Sequence, residues 1–159
     1  MTSVSPGSTD RIEEQVILPT TRARVWRALA TAEELGAWFG MNLQGAAIAP
    51  GAELAGPFTI PGHEHQTFRA TIEEVVPEER ISWRWHPGGN DPAADLSKEP
   101  RTLVTFLLED APGGGTLLRV IESGFDALPE PRRGQAHAGN SRGWAEQVLR
   151  RLPRWLEAH

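Results

Sequence analysis

The sequence predicts a single α+β domain: a curved antiparallel sheet of about six or seven strands, two short helices after the first strand, and a long C-terminal helix across the sheet. Three observations carry this expectation. The middle of the chain is a series of alternating apolar and polar segments cut by short Gly, Pro and charged turns, the pattern of an antiparallel meander. Two apolar stripes at helical spacing follow the first such segment, and a third stripe closes the chain. A length of 159 residues, of which 39% are hydrophobic, is enough to bury one core and points to one domain.

The opening segment MTSVSPGSTD, residues 1–10, is rich in Ser, Thr, Pro and Gly and is expected to be disordered, with the domain spanning 11–159. RIEEQVIL, Arg11 to Leu18, reads as the first strand, with Ile12 and Val16 on one side. Pro19 and Thr20 then mark a strand end and helix start. Val25, Trp26 and Leu29 form one helical stripe, while Leu35, Trp38 and Phe39 form a second on a helix from Thr31 that Gly40 ends. Further strands are expected at Met41 to Ile48, Glu53 to Ile60, Gln66 to Val76, Arg80 to His86, Thr102 to Glu109 and Thr116 to Glu122. The long polar stretch Pro87 to Pro100 is expected to form a mobile loop or rim.

Alternation assigns faces. Phe68, Ala70 and Ile72 share one side of their strand, as do Ile81, Trp83 and Trp85, and Val104, Phe106 and Leu108; Arg69, Glu73 and Arg84 point the other way. The apolar face needs a cover, and Trp144, Val148, Leu152, Trp155 and Leu156 supply one at helical spacing. Asn140 or Ser141 can cap that helix unless it extends back through Gln135 to Ala138, and Pro153 should kink its last turn.

Composition excludes several functions. With no cysteine there is no disulfide, thiolate nucleophile or Cys-based zinc site. A net charge of −5 argues against a general nucleic-acid binder. Lys98 is the single lysine, so Schiff-base chemistry would rest on it alone. No apolar run approaches the roughly 20 residues of a membrane span, and the first ten residues lack the basic and apolar parts of a signal peptide, so a cytoplasmic location is expected.

Three motifs carry a family resemblance. PTTRARVWRALATAEELGAWF, VVPEERISWRW, and GGTLLRVIESGF followed by RGW, in this order and spacing, resemble the SRPBCC, or START-like, superfamily with its birch-pollen-allergen-like helix-grip fold. The branch they resemble is the C-terminal domain of the activator of the large heat-shock ATPase. The resemblance implies a cavity between sheet and terminal helix, which different members use to bind lipids, hormones or polyketides. It also implies, in some members, cyclase- or hydrolase-like catalysis, and in others chaperone binding through an outer surface.

If such a cavity exists, Trp38, Phe39, Phe58, Phe68, Trp83, Trp85, Phe106, Phe125 and Trp144 are candidates to line it; filling the core is the alternative role for each. Trp83 and Trp85 are the pair most expected near it. Glu122 is the sharpest polar candidate, since it continues the inward series after Leu118 and Val120. An inward carboxylate could serve as general acid or base, or hold a ligand hydroxyl; a wet or arginine-paired one, for instance with Arg142, would be structural.

His63 and His65 alternate in a Gly/Pro loop, with His86 or His137 as candidates to join them around a metal, but two alternating histidines specify no third or fourth ligand. No metal and no cofactor is therefore expected. The arginines 132, 133, 142, 150, 151 and 154 fit either the wet face of an amphipathic helix or a partner surface. The expected partner is a small apolar or amphipathic molecule, with a heat-shock ATPase as an alternative and no nucleic acid or membrane span.

Overall fold

The computed structural model describes residues 9–88 and 95–159. Strand β1 (Arg11–Leu18) leads into α1 (Arg22–Ala30) and α2 (Ala32–Phe39), and five strands follow: β2 (Glu53–Pro57), β3 (Thr67–Val76), β4 (Arg80–Trp85), β5 (Thr102–Ala111) and β6 (Gly115–Ser123). They form one antiparallel sheet in the order β1-β6-β5-β4-β3-β2. The chain is thus the expected α+β arrangement, with β1 returning to the far edge beside β6.

Local chemistry sets the helix ends. The Thr21 hydroxyl accepts from the Arg24 amide at 3.2 Å and caps α1. Gly40 closes α2 at φ 107°, a left-handed conformation that other residues adopt at a cost. In the sheet, one residue, Glu73, is inserted between Ile72 and Glu74, a β-bulge in β3. Phe68, Ile72, Ile81, Trp83, Val104, Phe106, Leu118 and Val120 fill the inner face, and Val25, Leu29 and Leu35 close one end of it.

The terminal helix covers the remainder. It runs through α3 (Arg132–Glu146), a π-helical turn at Gln147–Arg151, and α4 (Leu152–Ala158), burying Trp144, Val148 and Leu152 against the sheet. The helix begins well before Asn140 and Ser141, so neither caps it. Pro153 does disturb the helix, through the wide turn ahead of it: the Leu152 amide reaches the Gln147 carbonyl five residues back. A proline ring crowds the preceding turn and offers no N–H, and the π turn makes room for it. Three side chains dock this region on α2: Gln147 donates to the Phe39 carbonyl, Arg151 to the Trp38 carbonyl, and Trp155 to Glu34, each at 2.8 Å.

Two further expectations need correction. Met41 to Ile48 is not a strand; Met41 makes one isolated bridge to Phe58, and the chain turns at Gly45 with φ 75°. Met41 and Leu43 are nonetheless buried, which produced the strand-like alternation. Thr9 and Asp10 belong to the folded part: the Gly124 and Phe125 amides donate to the Asp10 carbonyl, and Thr9 donates to Asp126 at 2.6 Å. The rest of the N-terminal segment, residues 1–8, lies outside the described residues, as do 89–94 of the polar stretch expected to be mobile. The flanks of that stretch are tied down by Arg132, which donates to Glu99 at 2.8 Å and to the Pro87 carbonyl.

Candidate functional site

Glu122 lies on the inner face of β6, opposite Val104 of β5 and Ile12 of β1, and is 0% exposed. Thr102, two residues before Val104, faces the same way, and Trp85 stands opposite Thr102 in the β4–β5 pairing. Sheet register therefore gathers Trp85, Thr102 and Glu122 on one patch. The terminal helix adds Asn140 and Trp144, which share a helix face because they are four residues apart.

Every one of these side chains bonds to the carboxylate. Trp85 Nε1 donates to Oε2 at 2.7 Å and Thr102 Oγ1 to the same oxygen at 2.5 Å. Trp144 Nε1 donates to Oε1 at 2.8 Å, and Asn140 Nδ2 spans both oxygens at 3.0 and 3.2 Å. Indole nitrogens only donate, so each oxygen is held as an acceptor, the pattern that suits a carboxylate. Among the described residues no ion pair involves Glu122; Arg142 is exposed on the helix and is not its partner. The expected choice between an unpaired carboxylate and an arginine-paired one is thus resolved by a third arrangement, a ring of neutral donors.

Three of those donors also wall a cavity. A space of about 150 Å³ between the sheet and the terminal helix is lined by Phe39, Phe58, Trp85, Asn140, Gly143, Trp144 and Gln147. Four of the nine aromatic candidates, Phe39, Phe58, Trp85 and Trp144, meet there. Phe39 is the hub, packed edge-on against Trp85 at 6.3 Å and Trp144 at 5.8 Å between ring centres. Phe68, Trp83, Phe106 and Phe125 are instead core residues at 0–1% exposure, and Trp38 turns away to donate to the Ala28 carbonyl at 2.8 Å. Of the tryptophan pair on β4, Trp85 reaches the cavity and Trp83 does not; the Trp83 indole N–H is buried without a partner.

Sequence reasoning missed Asn140, Gly143 and Gln147. A signal existed for the first: asparagine is disfavoured inside a helix, and Asn140 precedes Trp144 by one turn. Gln147 carried none, since only the docked position of the helix shows its amide against α2. Its Nε2 faces the Phe39 carbonyl, an acceptor, which fixes the amide orientation; its Oε1 is buried with no partner.

Other depressions have a different character. Those of about 370, 380 and 470 Å³ are each lined by four or more titratable side chains, whereas the 150 Å³ cavity has none on its wall. The histidines do not converge: His63 contacts Gln66, His86 the Glu99 carbonyl, and His137 the Arg11 carbonyl and the Phe125 ring. Among the described residues no three His, Cys, Asp or Glu side chains cluster in a metal-binding arrangement, and no helix is long and apolar enough to cross a membrane.

Residues 19–157 match the family described as "Activator of Hsp90 ATPase homolog 1-like protein". No curated protein matches the chain. Among solved structures it resembles DynU16, a protein in the dynemicin biosynthetic locus, at 26% identity and a TM-score of 0.69, covering 93% of this chain and 47% of that one. The chain thus spans about half the length of DynU16. It also resembles protein MLL2253 from Mesorhizobium loti, at 25% identity and TM-score 0.68, over 93% of this chain and 97% of that one. A protein from Rhodobacter sphaeroides has the same fold at 24% identity, TM-score 0.71 and 98% coverage of both chains.

Proposed function

The chain belongs to the activator of Hsp90 ATPase homolog 1-like family, and on that premise we propose that it binds a small apolar or amphipathic molecule between its sheet and terminal helix. One observation carries the reading: the 150 Å³ cavity is walled by four aromatic side chains and two amides, with no charged group on its surface. Apolar walls with a few polar groups are what small-molecule sites have in common. Volume narrows the ligand. Sites for drug-sized molecules run to about 300–1,000 Å³, and an apolar cavity of roughly 150 Å³ takes benzene, so this one suits a single ring or a compact group of similar size.

The cyclase- or hydrolase-like alternative has less support. Glu122 is fully buried and its bonds go to protein donors, so no reacting group reaches it without displacing Trp85, Asn140 or Trp144. A co-chaperone role rests on the family description alone. Native mass spectrometry of the gently purified protein tests the binding reading: a bound mass the size of a single-ring compound is expected. That mass should disappear when Gly143, which has open space at its Cβ position, is replaced by Phe to fill the cavity mouth. If neither co-purified nor added single-ring compounds bind, the proposal fails.

A further inference from the structure

The donors and acceptors around the cavity are unevenly distributed. Most N–H groups of its wall side chains are already engaged: both indoles and the Asn140 amide point at Glu122, and the Gln147 amide nitrogen gives one of its two N–H groups to the Phe39 carbonyl. What the wall offers an occupant is aromatic surface; the unpartnered Gln147 Oε1 is itself sealed from solvent and is not presented to the cavity. Directly behind three of the wall residues sits a carboxylate with no ion pair among the described residues. Phe39 is also the last residue of α2, whose C-terminal end carries partial negative charge. Arg151 answers part of that helix charge at the Trp38 carbonyl, but it lines the separate cleft formed with Trp155 and His159.

Resting on the cavity reading above, we propose that the ligand is a small organic cation, an ammonium group on a compact apolar body. Aromatic faces attract such cations through their quadrupoles, most strongly where water is excluded. A carboxylate in a low-dielectric interior adds a field that favours positive charge and opposes negative charge. A neutral ligand of the same shape would fill the same space and gain neither contribution. An anion would face the Glu122 carboxylate, and both indole N–H groups that could have received it are already committed to that carboxylate.

Three probes of nearly equal shape separate charge from fit: choline, its neutral isostere 3,3-dimethylbutan-1-ol, and the anion 3,3-dimethylbutanoate. Each is titrated into the full chain while the indole N–H resonances of Trp85 and Trp144 are followed by NMR. Choline is expected to shift both resonances saturably, with a dissociation constant at least about tenfold below that of the alcohol and no binding of the carboxylate. If the alcohol binds as tightly as choline, the cation assignment is overturned while the cavity remains a binding site. If no probe moves either resonance, the cation assignment falls, and the single-ring compounds named above decide separately whether the cavity binds at all. Phe58→Leu keeps an apolar wall but removes one aromatic face. It is expected to weaken choline severalfold and leave the alcohol within about twofold; equal loss for both would mean that shape alone is recognised.

Discussion

Glu122 accepts from side chains on β4, β5 and α3, so its substitution tests all three contacts at once. Glutamine keeps the size but replaces one oxygen with an N–H₂ group that must face donors. Each buried donor left without an acceptor costs about 1–3 kcal/mol, so Glu122→Gln is expected to lower unfolding free energy by at least that much in urea. Asn140→Asp, which sets a second carboxylate against the first, should be worse than Asn140→Ala. Glu34 gives a pH-dependent case. Burial pushes its carboxyl up, but hydrogen bonds from Trp155, Arg24 and Arg27 outweigh this and hold it below the usual carboxylate range. A group depressed in the folded state stabilises fully above its unfolded value of 4.5, and this contribution is lost as pH falls through the folded value. Glu34→Gln should therefore melt lower than the parent at neutral pH, with the gap closing below about pH 4.5 in a series of thermal midpoints. The inward position of Glu122 was legible from alternation, whereas its partners were not. Asn140 and Trp144 lie 18 and 22 residues away, and only the seating of a helix brings them to it.

At the scale of elements, α3 is expected to be the weakest part of the fold. It holds Gly134, Gly139 and Gly143 within 15 residues, lacks a side-chain N-cap, and buries only Ala136 and Trp144. A Cβ built at any of these glycines meets nothing within 4 Å, so packing does not require them. Gly139→Ala is expected to stabilise the protein by about 0.5–1 kcal/mol, by relieving the entropy cost of glycine in a helix. Gly56→Ala should do the reverse, because its Cβ would lie 1.8 Å from the Asn42 carbonyl oxygen, and paired denaturation curves would show the two shifts with opposite sign. That close approach also explains the misread segment after α2. Met41 and Leu43 alternate like a strand, but the backbone there is held by single bonds, the Asn42 amide to the Pro57 carbonyl among them, in place of a ladder. Short-range periodicity reports burial, and a turn can bury alternate residues as well as a strand can.

Across the whole molecule, the sheet was readable because its period-2 pattern survives over five strands and the β3–β4 and β5–β6 turns are short. The first strand's place beside β6 follows from no local signal; it comes from closing the sheet after the chain has gone once around the core. The cavity was legible only through family resemblance, since sequence cannot say which of nine aromatics fill a core and which leave a gap. Stability should be uneven in the same way as packing. Hydrogen exchange followed by mass spectrometry is expected to label α3 amides well before those of β5 and β6, each of which is paired with a strand on both sides. Equal protection of α3 and β6 would show that the helix and sheet open only together.

The ring of donors around Glu122 has a consequence for how the chain reaches its final state. Trp85 and Thr102 are in place once the sheet forms, but the carboxylate keeps lone pairs to fill until Asn140 and Trp144 arrive. A helix seated one turn out of place would set Val148 where Trp144 stands, sealing a carboxylate away from water with part of its shell missing. Greasy surfaces alone tolerate such slippage, because one apolar contact resembles the next. The buried acid therefore works as a proofreading device: it penalises the nearly correct compact states and leaves a single register for the last helix to dock.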